Sequence, residues 1–277
     1  MTRILRRRDI IPGQTVEMVL HAPAIAAAAR PGHFVILRVH PMGERIPLTI
    51  ADADAAAGTI TIVFLVVGTT TARLAQLSEG EDILDVCGPL GQATHLTRVG
   101  KVVCVGGGTG IAAMHHIAKG HAQVGNQVTA VIGARSADLL LFEEELGRFC
   151  HEVLVATNDG SRGVRGLVTD ALRQHFAAHP DVAEVVAVGP VPMMRAVAEL
   201  TRPLGIKTVV SLNSIMVDGM GMCGACRVRV GGEIRFACVD GPEFDGHAVD
   251  FDELAARLTA FVSQERQSFG CLGACHG

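Results

Sequence analysis

The sequence feature that most constrains the fold is a cysteine- and glycine-rich segment near the end of the chain. An aspartate and three cysteines follow one another in the pattern D-x4-C-x2-C-x11-C, formed by Asp218, Cys223, Cys226 and Cys238. Glycines between them let the backbone wrap tightly around a small inorganic group. Two β-type runs, residues 227–230 and 233–236, flank Gly231 and Gly232 and predict a hairpin that returns Cys238 to the loop. Residues 211–249 therefore predict a small metal-binding module.

The spacing of these ligands favours an iron–sulfur centre over zinc. The plant-type ferredoxin loop is C-x4-C-x2-C with a distant fourth cysteine, and Asp218 stands at the position of its first cysteine. A carboxylate can bind ferric iron, although it is a harder donor than a thiolate and should alter the reduction potential. The leading prediction is a 2Fe-2S cluster on Asp218, Cys223, Cys226 and Cys238. Two alternatives stay open: zinc with His247 as fourth ligand, or a turn-capping Asp218 with Cys271 or Cys275 as fourth ligand.

Composition and charge limit the classes of function. The 24 basic and 28 acidic residues give a net charge of −4, which is too balanced for a nucleic-acid binder. The eight cysteines are isolated or grouped late in the chain, which suits a reducing compartment better than a secreted disulfide framework. No apolar signal segment follows the basic N-terminus, and no apolar stretch is long enough for a membrane span. The prediction is a cytoplasmic protein.

The chain divides into segments with different patterns of predicted strands and helices, as its length of 277 residues allows. Residues 1–98 alternate short β-type runs with Gly/Pro turns and predict an antiparallel β-barrel, with strands over 15–20, 34–39, 59–67 and 82–86. Residues 99–210 alternate apolar strands with helices and predict a parallel α/β domain, with strands over 101–105, 128–132, 152–157, 184–188 and 207–212. Residues 250–277 predict a C-terminal helix and tail.

A nucleotide site is predicted at the carboxyl ends of the parallel strands. A run of glycines follows the first strand and opens a helix, where backbone N–H groups can hold a diphosphate. Ile111 replaces the third glycine of the common dinucleotide fingerprint. Further polar and Gly-Pro segments follow other strands of the same sheet, on the side where ligands bind. The predicted NAD-binding residues are Gly106, Gly107, Gly108, Thr109, Gly110, Arg135, Asn158, Asp159, Gly189, Pro190 and Met193.

A flavin site is predicted in the first domain. Arg45 and Thr49 flank a proline at the start of a strand, which suits a phosphate contact and a hydroxyl facing a flavin. Residues 68–71 open a helix suited to a diphosphate, and residues 88–91 lie at the domain junction. The predicted FAD-binding residues are Arg45, Ile46, Pro47, Leu48, Thr49, Val66, Gly68, Thr70, Thr71, Gly88, Pro89, Leu90 and Gly91.

These motifs, in this order, resemble the ferredoxin–NADP reductase superfamily. The stretches that carry the likeness are ERIPLTIAD (44–52), DVCGPLG (85–91), GGGTGIAA (106–113) and SLNSIMVDGMGMCGACRVRV (211–230). Within the superfamily, the chain is similar to the small subunit of NADH-dependent ferredoxin:NADP oxidoreductase and to the electron-transfer subunit of dihydroorotate dehydrogenase. The resemblance implies an FAD barrel, an NAD(H)-binding domain and a 2Fe-2S module facing a larger partner that carries a second flavin and 4Fe-4S clusters.

The function expected from this resemblance is electron transfer between NAD(H) and the larger subunit, in an electron-bifurcating complex. The Asp-for-Cys pattern at Asp218 matches the bifurcating enzyme, whereas the dihydroorotate dehydrogenase subunit, the alternative, uses four cysteines. No side chain is predicted to act as an acid or a base, because the cofactors perform the chemistry. NADP(H) stays open, since Arg135 and Ser136 could accommodate a 2′-phosphate. A further alternative is a non-enzymatic redox sensor built on a zinc–cysteine site.

Overall fold

The structure is a computed structural model that describes the backbone of residues 1–274 and the side chains of residues 1–270. It contains three sheets, which correspond to the three parts that the sequence predicts. No helix in the described part of the chain is both long and apolar enough to cross a bilayer. The fold class predicted from the sequence is confirmed.

The first part is a seven-stranded antiparallel sheet that curls into a nearly closed barrel. Its strand order is β6-β1-β2-β5-β4-β3-β7. The inward side chains of these strands, such as Met18, Ile50 and Ile62, are fully buried and form one apolar core. The strands are β1 (Thr2–Ile11), β2 (Thr15–His21), β3 (Phe34–Arg38), β4 (Ile46–Asp54), β5 (Thr59–Leu65), β6 (Asp82–Ile83) and β7 (Asp85–Leu90), with helices α1 (Pro23–Ala28) and α2 (Thr69–Gln76) between them.

The second part is a sheet of order β11-β10-β9-β8-β12-β13-β16, parallel except at β16 (Glu243–Asp245). Apolar runs buried on both faces, such as Val102–Val105 in the first strand, explain why helices cover both sides. The strands are β8 (Lys101–Gly107), β9 (Gln127–Ala134), β10 (Glu152–Thr157), β11 (Val164–Arg165), β12 (Val182–Val188) and β13 (Lys207–Ser211). The helices are α3 (Gly110–Gln123), α4 (Glu143–Gly147), α5 (Val168–Ala178) and α6 (Val191–Thr201), with 3₁₀ turns at Ala137–Leu139 and Arg202–Leu204.

The third part is the hairpin of β14 (Arg227–Val230) and β15 (Glu233–Phe236), with the bounds that the sequence predicts. The chain then forms β16 (Glu243–Asp245), which pairs with β13 and adds an antiparallel edge to the second sheet. Cys226, Val228 and Cys238 share one apolar core with α6 and the C-terminal helix α7 (Phe251–Leu258). The module is therefore fused to the second domain rather than tethered to it, and the boundaries at residues 98, 210 and 249 stay predictions.

Two predicted elements differ from the structure. The single strand predicted over 82–86 is wrong, because the chain forms two strands there, β6 pairing with β1 and β7 pairing with β3. The C-terminal segment is two helices, α7 and α8 (Val262–Ala274), separated by residues 259–261. The hydroxyl of Ser268 in α8 lies 2.7 Å from that of Thr69, so α8 rests beside the start of α2.

Polar and buried contacts fix the barrel against the second domain. Helix α3 lies along β4, where Nδ1 of the buried His116 is 3.0 Å from the carbonyl oxygen of Ile50. Lys119 in the next turn donates to both carboxylate oxygens of Asp52, at 2.9 and 3.1 Å. The start of α3 is the predicted nucleotide-binding turn, so these contacts place that turn against the barrel.

Candidate functional site

A cavity of about 570 Å³ lies where the barrel, the parallel sheet and the cluster module meet. From the barrel, Pro47, Leu48 and Thr49 line one wall, and Phe34 and Phe64 supply its aromatic surface. The chain has no Trp or Tyr, so phenylalanine supplies the aromatic rings of this wall. The opposite wall is the Gly-rich turn of residues 107–110. A largely apolar cavity with a few polar groups suits a large planar ligand.

Four of the predicted FAD-binding residues line this cavity: Pro47, Leu48, Thr49 and Thr71. The others lie around it. Arg45 is exposed just before β4, and Ile46 is the first residue of that strand. Gly68 caps α2, where its N–H donates to the hydroxyl of Thr71 at 3.1 Å. Val66 directly precedes Val67, a residue of the wall.

The remaining predicted FAD contacts point to other neighbours. The hydroxyl of Thr70 donates to the carboxylate of Glu44 at 2.9 Å. Residues 88–91 (Gly88, Pro89, Leu90 and Gly91) pass beneath the cluster module. A side chain at Gly219 would meet Leu90 at 2.8 Å, and one at Gly91 would meet the carbonyl of Gly241 at 3.1 Å. The structure therefore places this segment between the barrel and the cluster loop.

The sequence pattern does not predict one wall of the cavity, the stretch from Ser211 to Ser214 together with Met216. This stretch directly follows the carboxyl end of β13, which is the available signal for a ligand contact. The hydroxyl of Ser214 is buried and has no hydrogen-bond partner among the described residues. Because buried polar atoms are rarely left unpaired, this hydroxyl fits a polar ligand in the cavity, as FAD would supply.

A second cavity, of about 490 Å³, lies at the carboxyl ends of the parallel strands. Seven of the predicted NAD-binding residues line it: Gly107, Gly108, Thr109, Arg135, Asn158, Pro190 and Met193. Strands β8, β9, β10 and β12 bring these residues together, and the strand order reverses at β8, which opens a crevice. The start of α5, at Val168 and Thr169, closes the far side.

The other predicted NAD residues serve the shape of the crevice. A side chain at Gly110 would lie 2.7 Å from the Cα of Gly189, so both glycines allow α3 to approach the end of β12. Gly106 similarly lets Ile111 and Met114 pack against β8. Asp159 accepts hydrogen bonds from the backbone N–H and hydroxyl of Ser161, and these bonds lower the pKa of its carboxyl. Asp159 thus stabilises the loop that contains it and Ser161.

Thr15, at the start of β2, is a residue of the second cavity that the sequence pattern does not predict. Its side chain is fully buried, and its hydroxyl has no hydrogen-bond partner within the described residues. A polar ligand such as a nicotinamide nucleotide would supply one. Thr15 belongs to the barrel, so no pattern within the parallel domain could reveal it.

The two cavities adjoin. Both are lined by Leu65, by residues 107–109 and by Pro190. The Gly-rich turn therefore forms the partition between them, and Gly107 and Gly108, which have no side chains, keep it thin. Ligands in the two cavities can approach each other closely at this point.

The cluster ligands predicted from the sequence converge in two pairs. The sulfur atoms of Cys226 and Cys238, both buried, are 3.1 Å apart. Burial, with the neighbouring Cys226 thiol, raises the pKa of Cys238 to about 12. The backbone N–H of Cys223 donates to the carboxylate of Asp218 at 2.8 Å, which holds the other two predicted ligands in one turn. Both cysteines of the first pair flank the hairpin, Cys226 directly before β14 and Cys238 two residues after β15, whereas Cys223 is exposed.

Asp218 also organises the loop. Its carboxylate accepts backbone N–H bonds from Met220 at 3.0 Å, Met222 at 3.0 Å and Cys223 at 2.8 Å. These bonds, that from Met220 foremost, lower the pKa of the carboxyl. The turn-capping alternative thus describes part of what Asp218 does. A carboxylate has about four lone-pair positions, so three N–H donors leave capacity for a metal bond.

The pairing fits a two-iron centre better than zinc. Each iron of a 2Fe-2S cluster takes two protein ligands, whereas tetrahedral zinc would bring all four donors within roughly 3.8 Å of one another. No three of these four donor atoms, all in the described part of the chain, lie within 4.8 Å of one another. His247, the alternative zinc ligand, instead contacts the hydroxyl of Thr201 at 3.0 Å. The side chain of Cys271 and the whole of Cys275 lie outside the described residues.

The cluster loop is continuous with the first cavity. Met216 lines that cavity and Asp218 follows two residues later. Gly219 packs against Ile36 of β3, where an added side chain would lie 2.7 Å from it. Its φ of +77° belongs to the left-handed region that glycine adopts without strain. The described residues thus form one row: second cavity, first cavity, cluster loop.

Comparison with known proteins matches the parts of this row to families. Residues 213–250 match the model for the iron–sulfur cluster binding domain of dihydroorotate dehydrogenase B, and residues 104–199 match that for the oxidoreductase NAD-binding domain. The chain is 48% identical to a dihydroorotate dehydrogenase B (NAD(+)) electron transfer subunit homolog from Thermotoga maritima, over 90% of this chain and 88% of the relative. It is 35% identical to the electron transfer subunit from Bacillus caldolyticus, over 85% of this chain and 92% of that protein.

Solved structures agree. A structure of the NADH-dependent reduced ferredoxin–NADP oxidoreductase, which concerns flavin-based electron bifurcation, matches with a TM-score of 0.93 and 44% identity, over 98% of both chains. The ferredoxin reductase of carbazole 1,9a-dioxygenase matches with a TM-score of 0.63 at 18% identity, over 74% of this chain and 65% of that one. The second likeness shows a shared fold.

Proposed function

The chain belongs to the family of dihydroorotate dehydrogenase B-type electron transfer subunits, and on that premise we propose that it carries electrons between NAD(H) and a larger flavin- and iron–sulfur-containing partner subunit. The observation that carries the proposal is the row of two adjoining cavities and a paired-ligand loop. When bound, FAD exchanges two electrons with a nicotinamide and single electrons with an iron–sulfur centre.

Different residues along the row would bind the nucleotide, the flavin and the cluster. Residues 107–109 present backbone N–H groups at the start of α3, where a nucleotide diphosphate is stabilised. Pro47, Leu48 and Thr49 would hold the flavin against that turn, and Arg45 would approach its phosphates from outside the wall. Asp218, Cys223, Cys226 and Cys238 would hold a 2Fe-2S cluster. The largely apolar walls would shield part of the flavin ring from solvent.

The exposed side of the cluster loop supports an electron exit toward the partner. Cys223 is exposed, and Met222 beside it is 83% exposed. Val217 and Met220 are also about half exposed, which makes an apolar surface around a metal ligand. Such patches commonly mark protein contacts. We place the larger subunit on this face.

The electron-bifurcating ferredoxin:NADP oxidoreductase type is favoured over the dihydroorotate dehydrogenase type. The observation that favours it is Asp218 at the position of the first cluster ligand, paired with Cys223. The second function is supported by the names of the sequence relatives. Both share the chemistry of this chain and differ in the partner. NAD(H) is the proposed nucleotide, with NADP(H) open because Arg135 lines the second cavity, and the proposed location is the cytoplasm.

Anaerobic purification from the native cell tests the proposal. We expect about one FAD and two irons per chain, bleaching of the visible spectrum by NADH, and co-purification of a larger flavin–iron–sulfur subunit. Reduction of NADP⁺ that requires both NADH and reduced ferredoxin as electron donors would support the first type, and oxidation of dihydroorotate coupled to reduction of NAD⁺ would support the second. A colourless protein, or one zinc without FAD, would contradict both and favour a redox sensor.

Replacement of Asp218 by cysteine tests the ligand assignment. We expect the cluster to remain while its EPR g-values and reduction potential change, because thiolate is a softer donor than carboxylate. Asp218→Asn keeps the size and part of the capping capacity and is the control for loop folding. An unchanged EPR spectrum in Asp218→Cys would show that Asp218 does not bind iron.

A further inference from the structure

A cluster of potential metal ligands lies far from the cofactor row, at the opposite edge of the parallel sheet. Glu152 is the first residue of β10, and His175 is in the last turn of α5. His179 follows one turn later as the C-cap of the same helix. These three residues are called the distal histidine site below. The second cavity lies at the other ends of β10 and α5.

The backbone holds the two histidines on one face of the helix. The N–H of His179 donates to the carbonyl oxygen of His175 at 2.9 Å, which is the helical i to i+4 bond. The two rings lie with their centres 4.6 Å apart. Histidines four residues apart on one helical face form the pair that binds zinc in many proteins. The helix itself thus sets the spacing of the pair.

Glu152 completes the set from the neighbouring strand. Its carboxylate oxygen is 3.5 Å from Nδ1 of His175. One donor atom from each of the three residues lies within 4.8 Å of the other two, and this is the one such set of His, Cys, Asp or Glu donors among the described residues. Donors bound to one zinc ion at about 2.0–2.2 Å lie roughly 3.3 Å apart. Small side-chain rotations would therefore close the set around an ion.

The surroundings allow a cation. The His175 side chain is only 6% exposed, so it is held in place, while the Glu152 side chain is 43% exposed and gives an ion a path from solvent. Lys101, whose positive charge acts on His175, is paired with Asp181 at 2.8 Å. That pair has no net charge, so Glu152 supplies the uncompensated negative charge of the site.

We propose that Glu152, His175 and His179 bind a divalent transition metal ion of the zinc class. Two imidazoles and a carboxylate are a donor set that suits zinc, copper and nickel. The ion joins the start of β10 to the end of α5. The opposite ends of these elements, at Asn158 and at Val168–Thr169, line the nucleotide cavity. The metal therefore braces the frame of that cavity from outside and takes no part in electron transfer.

Zinc titration of the holoprotein tests this proposal. FAD- and iron-loaded protein is treated with a mild chelator, and Zn²⁺ binding is followed by calorimetry at neutral pH. We expect one zinc per chain and a higher Tm at saturating zinc. His179→Gln and Glu152→Gln should each weaken that binding by about tenfold or more and reduce the rise in Tm measured at the same zinc concentration. His151→Gln, a change at the exposed histidine next to Glu152, should leave both unchanged.

Iron per chain, counted before and after titration, separates this site from the cluster. Constant iron with binding lost in the two ligand variants supports the distal site. Equal zinc affinity in wild type, His179→Gln and Glu152→Gln overturns it. Zinc uptake matched by loss of iron also overturns it, because the ion would then occupy the cluster ligands.

Discussion

The cluster loop and the nucleotide cavity (the second cavity), which lie on either side of the first cavity, are built in opposite ways. The loop offers four side chains, Asp218, Cys223, Cys226 and Cys238, whereas the cavity is lined by backbone and apolar surface around residues 107–109 and Pro190. A site made of side chains depends on the identity of each residue. A site made of backbone depends on how closely its helices and strands pack against one another. The two sites should therefore fail in different ways when they are mutated.

Loss of one buried cluster ligand should have the largest effect. Cys226→Ser breaks the pair whose sulfurs are 3.1 Å apart, and we expect most of the iron to be lost while FAD stays near one per chain. Iron and flavin analysis of the purified variant measures this. Cys87→Ser, at an exposed cysteine outside the ligand set, is the matched control. Full iron content in Cys226→Ser would remove Cys226 from the cluster.

The stability of the fold should depend on pH at the point where the cluster module joins the second sheet. Glu243 lies on β16, which joins the cluster module to the sheet, and it accepts a hydrogen bond from Thr94 at 2.6 Å. Burial raises the pKa of its carboxyl to about 7. The folded state therefore binds this proton more tightly than the unfolded state. The stability from this group is complete below the unfolded pKa near 4.5 and is lost as pH rises through 7.

Glu243→Gln should remove that dependence. Between pH 5 and 8.5 the free energy of unfolding of wild type should fall by up to about 3 kcal/mol relative to the variant. Denaturant unfolding across this range measures the difference. Glu144→Gln, at an exposed glutamate, should run parallel to wild type. Parallel curves for wild type and Glu243→Gln would show that Glu243 titrates normally.

A backbone-built site should be sensitive to added volume. In Gly110→Ala the new methyl group would meet the carbonyl of Val188 and the Cα of Gly189, which cannot move away. We expect a loss of about 1–3 kcal/mol in stability and weaker NADH binding, with iron content unchanged. Thermal unfolding and NADH titration measure both. Gly147→Ala is the control, since nothing lies within 4 Å of its added methyl. A loss of iron in Gly110→Ala would erase the contrast between the two sites.

The same contrast explains which parts of the molecule the sequence predicts. The hairpin of β14 and β15 and strand β10 follow from side-chain patterns, and the structure has them with the predicted bounds. The four cluster ligands follow from the same kind of pattern and stay a prediction. Strand β16 has three residues and no apolar run, so only its pairing with β13 defines it. Thr15 and Ser214 reach the cavities from distant parts of the chain. A local sequence pattern cannot predict these contacts, because they form only when distant segments of the chain pack together.

Thr15 gives the smallest and most selective prediction. Its buried hydroxyl has no partner among the described residues, so Thr15→Val should leave stability unchanged or raise it by about 1 kcal/mol. NADH affinity should fall by about five- to tenfold, because the nucleotide would lose a hydrogen bond worth about 1 kcal/mol or slightly more. Thr208→Val is the matched control: this buried hydroxyl is bonded to Thr201 at 2.6 Å, so its removal should destabilise the fold and leave NADH affinity alone. If Thr15→Val keeps or gains stability while it loses NADH affinity, the Thr15 hydroxyl serves nucleotide binding rather than folding. A fall in both would instead make Thr15 part of the barrel core and leave the nucleotide cavity with backbone contacts on that side.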